Sequence, residues 1–138
     1  MVPSSITILC VDDEETPRTL RKLILQKQGY QVVTATSGAE ALDRLADEIQ
    51  PRLAAVLSDI NMPGMDGLQL LGEIKQRRPD LPVMMVSAYG DDERRRRAAE
   101  LGAVEFITKP VDFDQLKEQL RQLPAAAGRR EARQARIK

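Results

Sequence analysis

"LAAVLSDINMPGMDG" spans residues 53–67 and changes character in the middle. Five apolar residues, 53–57, run into Ser58 and a lone carboxylate, Asp59. Then come Met62, Pro63, Gly64, Met65 and Gly67. An apolar run this short, closed by turn residues, predicts a strand over 53–58 that is buried on both faces. Pro63 and Gly64 predict a tight turn, and Gly67 predicts the entry to a helix over 67–78. A strand that delivers an acid into so stiff a loop points to Asp59 as a positioned group rather than a solvated one.

The same alternation extends in both directions. Upstream, "ITILCV" (6–11) and "QVVTA" (31–35) read as strands. Between them, Thr16 as N-cap and Pro17 at the first helical position predict a helix. Leu20, Leu23, Ile24 and Lys27 follow at helical spacing, and Gly29 ends it. Ser37 and Glu40 have capping-box spacing, ahead of an inner face of Ala41, Leu42, Leu45, Ala46 and Ile49. Downstream, Leu68, Leu71 and Ile74 face inward, and "VMMVS" (83–87) is a fourth strand. Asp91 or Asp92 caps a helix ending near Gly102, and "VEFIT" (104–108) is a fifth strand. Asp112 starts a last helix with Leu116, Leu120 and Leu123 inward. Five strand–helix units predict an α/β fold: a doubly wound parallel sheet with right-handed crossovers and helices on both faces. In such sheets functional groups gather at the carboxyl ends of the strands.

Composition narrows the chemistry. With 138 residues there is room for one domain with a real core. The longest apolar runs are too short to span a bilayer, and no secretory signal pattern opens the chain, so a cytoplasmic protein is expected. The single Cys10, inside an apolar strand, is expected to be a buried thiol in a reducing compartment. The absence of histidine excludes His-based triads and His metal ligands. A bound metal would then be a hard ion with oxygen ligands, such as Mg²⁺. Net charge is zero, but residues 124–138 hold five basic residues and one acid, +4, which leaves −4 on the rest. A mildly acidic globule gives no support for nucleic-acid binding by this chain.

The residues that leave each strand converge. They are Asp12 and Asp13 from the first, Thr36 and Ser37 from the second, Asp59 from the third, Ser87 from the fourth and Lys109 from the fifth. If the first and third strands are neighbours, three carboxylates share one pocket, and their repulsion calls for a divalent cation. Asn61 is placed to add a backbone carbonyl. Lys109 and the Ser87 hydroxyl supply donors opposite the acids, which makes a site for a phosphoryl group. Asp12, Asp13 and Asp59 taken singly would read as helix caps or solvated acids. No G-x-x-x-x-G-K-[ST] or G-x-G-x-x-G is present, and "DDEE" after the first strand would repel a pyrophosphate. An aspartyl phosphatase would want a second acid two residues after its nucleophile, where this chain has Asn61.

Together "VDDEE" (11–15), "SDINMPGMDG" (58–67), "VSAYG" (86–90) and "TKPVD" (108–112) resemble a response-regulator receiver domain, the phosphoacceptor of two-component signalling, and are similar to the stand-alone chemotaxis regulators. The resemblance covers residues 5–123 and leaves 124–138 as a basic tail or linker. It implies a flavodoxin-like (βα)₅ fold with strand order 2-1-3-4-5. It implies that Asp59 accepts a phosphoryl group from the phosphohistidine of a sensor kinase or phosphotransfer protein. Asp13, Asp59 and the Asn61 carbonyl would hold Mg²⁺, or Mn²⁺ in its place, with Asp12 assisting through water. Lys109 would pair with the phosphate, Lys109–Pro110 would be cis, Ser87 would bind a phosphoryl oxygen, and Phe106 would turn inward behind it. Many relatives carry Tyr where this chain has Phe106, which has no hydroxyl to report outward. Such a chain is a switch that assists its own phosphoryl transfer and dephosphorylation, not an enzyme acting on others. Its fourth helix, fifth strand and last helix would form the face for homodimers or targets.

Arg94 to Arg97 span a helical turn and cannot share one face, so a solvated helix is expected there. The competing function is a receiver-like interaction module that is never phosphorylated. Such modules lose an acid or the lysine, and this chain keeps them all.

Overall fold

All five residues of "TILCV" are buried, because this strand lies at the middle of the molecule with helices on either side. The computed structural model describes residues 6–46, 53–88 and 90–122. The elements run β1 (Thr7–Val11), α1 (Glu15–Lys27), β2 (Gln31–Ala35), α2 (Gly38–Ala46), β3 (Leu53–Asp59), α3 (Gly67–Arg77), β4 (Val83–Ser87), α4 (Asp92–Leu101) and β5 (Glu105–Thr108). A further helix, α5, covers 113–122 of the described residues. The strands form one parallel sheet in the order 2-1-3-4-5, the doubly wound arrangement that the sequence predicts. Ile49, Leu123, the first five residues and the basic tail lie outside the described residues. Among the described residues, no helix is long and apolar enough to cross a membrane.

Side-chain alternation along β1 divides the core. Leu9 and Val11 pack with α2, α3 and α4 through Leu42, Leu71, Ile74 and Ala98. Ile8 and Cys10 face the other way, toward Leu25 of α1 and Leu116 and Leu120 of α5. β3 and β4 alternate likewise, with Val56 and Met85 on the first side and Leu57, Met84 and Val86 on the second. The edge strand β2 is buried fully only at Ala35.

Several local expectations need correction. α1 opens at Glu15, so Thr16 is no N-cap and Pro17 is the third helical residue. Proline is tolerated there because the first turn's N–H groups have no intrahelical acceptor. The helix is also rotated from the expected face. Leu20 and Leu23 are 46% and 57% exposed, while Arg21 and Leu25 are buried. Ala46 is exposed rather than inward. β1 and β5 each begin one residue later than predicted, and β3 continues one residue further, to Asp59 itself. Ser37 does accept from the Glu40 N–H at 3.1 Å, but the Glu40 carboxylate reaches back to Thr36 N, not Ser37 N.

The strand ends are aligned. Val11 is in register with Ala35 and Ser58, Asp59 with Val86, and Ser87 with Thr108. The side chains that leave the strands therefore emerge along one rim, on either side of the point where strand order reverses.

Candidate functional site

Asp12 follows β1 and is fastened on every side. Its N–H donates to the Ala35 carbonyl at 3.1 Å, and its own carbonyl accepts from Arg18 Nη1 at 3.0 Å. Oδ1 accepts from the Glu14 N–H at 2.9 Å, which bends the chain into α1. Oδ2 accepts from Arg21 Nη1 at 2.7 Å, with both side chains buried, 2% and 6% exposed. Asp13, the next residue, is exposed.

Asp59 ends β3 and is 1% exposed. Its two oxygens are unequally engaged. Oδ2 receives Lys109 Nζ at 2.7 Å, whereas among the described residues Oδ1 receives only the Asn61 N–H, at 3.3 Å. The loop after it is anchored at each step. Ile60 and Met62 are buried in the core, and Met65 lies against Gly38, where a Cβ would overlap its side chain. The Gly67 N–H donates to the Ile60 carbonyl at 2.7 Å. A Cβ on Gly67 would collide with the Asp59 carbonyl oxygen and the Ile60 Cα, so only glycine lets α3 start against the residue that carries the acid. Asp66 then caps α3 in a full capping box with Gln69.

Ser87 ends β4, fully buried, and its hydroxyl has no hydrogen-bond partner among the described residues. A buried polar group without a partner costs stability unless something else binds it. Its carbonyl accepts from the Lys109 N–H at 2.8 Å, which joins the ends of β4 and β5. The Lys109–Pro110 peptide bond is cis. Phe106 is half-buried against the core, with the Arg95 guanidinium 5.4 Å from its ring centre.

The arrangement brings Asp12, Asp13 and Asp59 together, each with a carboxylate oxygen within 4.8 Å of the others. Three hard oxygen donors at that spacing fit an ion such as Mg²⁺ and suit no soft metal. Ser87, at the end of the strand next to Asp59, has a hydroxyl without a partner among the described residues, and Lys109, after β5, reaches Asp59 with its side chain; both are suited to an anion. The Asn61 side chain turns away, its Nδ2 3.4 Å from Asp91 Oδ2.

Sequence reasoning missed several participants. Arg18 and Arg21 both hold Asp12, and their three-residue spacing on a helix that follows an acid pair was the available signal. The four-arginine run is not uniformly solvated. Arg94 pairs with Asp66 at 3.3 Å and Arg95 covers Phe106, while Arg96 and Arg97 are exposed.

The family model for the response regulator receiver domain matches residues 8–121. The chain is 37% identical over 117 residues to the transcriptional regulatory protein ZraR of Escherichia coli (strain K12), covering 85% of this chain and 26% of ZraR. It thus spans about a quarter of the length of the curated relatives it matches. Among solved structures, the receiver domain of NtrX from Brucella abortus is 38% identical with a TM-score of 0.79, covering 86% of this chain and 98% of that one. The Vibrio cholerae chemotaxis protein CheY4 is 27% identical with a TM-score of 0.78, covering 88% of this chain and 99% of that one.

Proposed function

This chain belongs to the response regulator receiver domain family, and on that premise we propose that it is a phosphorylation switch whose acceptor is Asp59. The observation that carries the reading is the state of Asp59: a carboxylate 1% exposed at the end of β3, paired to Lys109 on Oδ2 and grouped with Asp12 and Asp13. The less engaged Oδ1 attacks phosphorus of a partner's phosphohistidine. The new O–P bond forms as the P–N bond breaks, and the imidazole leaves with the electron pair and takes a proton. Lys109 follows the phosphoryl oxygens, and the Ser87 hydroxyl gains the partner it lacks.

Asp13, Asp59 and the Asn61 carbonyl would hold Mg²⁺, with Asp12 behind them. When bound, the ion offsets the charge on the acids and on the incoming phosphoryl group. The buried, unpartnered Ser87 hydroxyl and the all-oxygen donor set support this reading. The test is intact mass after treatment with a small phosphodonor and Mg²⁺. Wild type should gain one phosphate and Asp59→Asn none. A wild type that gains nothing would favour a receiver-like interaction module, and a phosphate on the Asn variant would move the acceptor elsewhere.

A further inference from the structure

We infer that Arg21 is a positioning residue: by holding Asp12 and offsetting its charge, it sets how tightly the Asp12–Asp13–Asp59 pocket takes a divalent cation. The inference rests on the metal-dependent reading above and adds a residue that the pocket's own acids do not reveal.

Arg21 lies on α1, yet its side chain is only 6% exposed and ends 2.7 Å from Asp12 Oδ2. A buried guanidinium is costly unless it meets an acid, so the position of α1 and the orientation of the Asp12 carboxylate depend on each other. With Oδ1 on the Glu14 N–H and Oδ2 on Arg21, Asp12 has both oxygens engaged inside the protein. Asp13 and Asp59 are left as the acids with more capacity for an ion, Asp13 being exposed. The charge balance points the same way. Three carboxylates face three cations, Arg21 and Lys109 on their oxygens and Arg18 on the Asp12 carbonyl, so the formal charges of the ion-free pocket cancel. Without Arg21 it would carry one net negative charge. A pocket so compensated stays assembled without an ion and holds one more weakly than a less compensated triad would. Arginine suits the task because it remains charged at any relevant pH.

A purely structural staple between α1 and β1 would stabilise the protein equally with and without an ion. The experiment separates the two roles. Wild type, Arg21→Met and Arg21→Lys are titrated with Mg²⁺ by thermal melting, and with Mn²⁺ by electron paramagnetic resonance of the free ion. Removing one positive charge next to the pocket should tighten ion binding by at least about tenfold, the effect of a unit charge on a divalent ion roughly 6 Å away even at the dielectric of water. Arg21→Met should melt below wild type without the ion and recover most of the loss at saturating Mg²⁺. Arg21→Lys, which keeps the charge, should bind the ion within about threefold of wild type. Equal ion affinity in Arg21→Met and wild type would overturn the inference. So would an Arg21→Met protein that stays unfolded in saturating Mg²⁺, or an Arg21→Lys protein that binds as tightly as the Met variant. If wild type is phosphorylated on Asp59 while the affinities are equal, only this inference falls. If wild type neither binds the ion nor gains a phosphate, the functional reading falls with it.

Discussion

Lys109 and Asp59, 50 residues apart in the chain, meet as a 2.7 Å ion pair whose two ends lie in different media: the carboxylate is 1% exposed and the ammonium side chain 36%. Such a pair is held from the buried side. Asp59 cannot leave, whereas Lys109 has room to move with an incoming charge.

Lys109→Met should therefore affect switching more than folding. Without Mg²⁺ it leaves a buried carboxylate with one long hydrogen bond, and stability should fall by about 1–3 kcal/mol, discounted for the half-exposed lysine. Amide NMR with beryllofluoride, a phosphoryl mimic, tests the coupling. In wild type, shifts should spread from Asp59 through Ser87 and Phe106 into α4. In the variant they should remain near Asp59. Undiminished shifts in α4 would assign the coupling to another residue.

Gly67 and Gly72 should respond to alanine in opposite directions. A Cβ at Gly67 meets the Asp59 carbonyl, and Gly67→Ala should cost about 1–3 kcal/mol in denaturant unfolding and slow phosphorylation by displacing the acid. Gly72, within α3, has open space around it, and Gly72→Ala should stabilise by about 0.5–1 kcal/mol. Equal effects at the two sites would contradict the close approach of α3 to β3.

Asp13 should matter to the ion and little to the fold. It is exposed, so Asp13→Ala should leave the ion-free melting temperature near that of wild type. The rise on adding Mg²⁺, which follows from binding to the native state alone, should be present in wild type and lost in the variant. A wild-type melting temperature that ignores Mg²⁺ would count against a metal at this pocket.

Cys10 should make the protein sensitive to alkali. Burial pushes its thiol up from the ordinary value of 9.0 to about 12, with Arg21 lowering it and Asp12 raising it to lesser extents. The unfolded chain then releases the thiol proton first. Stability from this group is complete below pH 9 and is lost as pH rises toward 12, with a slope approaching ~1.4 kcal/mol per pH unit. Cys10→Ala should flatten that slope, although it lowers stability overall. Chemical denaturation at stepped pH measures it, and an unchanged slope would assign the alkaline loss to other groups.

Strand positions and most of the rim were legible because each strand is a short apolar run followed by a polar residue, whereas the order of the strands came from the family resemblance and not from the runs. Asp59, Asp12 and Lys109 stood out because they follow such runs. Arg21 did not, since a charged residue among Leu20, Leu23 and Ile24 is ordinarily assigned to the wet side of an amphipathic helix. Only the partner on another element, Asp12, reverses that assignment, and a pairing across elements leaves no periodic trace. The same reasoning explains Leu20 and Leu23, whose helical spacing suggests the inner face but which are exposed. The capping box of Asp66 and Gln69 is also legible, in their three-residue spacing ahead of an apolar run.

β1 has no face turned to water: Ile8 and Cys10 belong to one core cluster, Leu9 and Val11 to the other. β2, at the edge of the sheet, is buried throughout only at Ala35. Tolerance to substitution is therefore graded across the sheet rather than along the chain. Saturation mutagenesis of residues 7–11 should return an unbroken intolerant block, while residues 31–34 admit polar side chains. Inheritable variation is thereby steered to the sheet's margin, away from the strand that ends at Asp12.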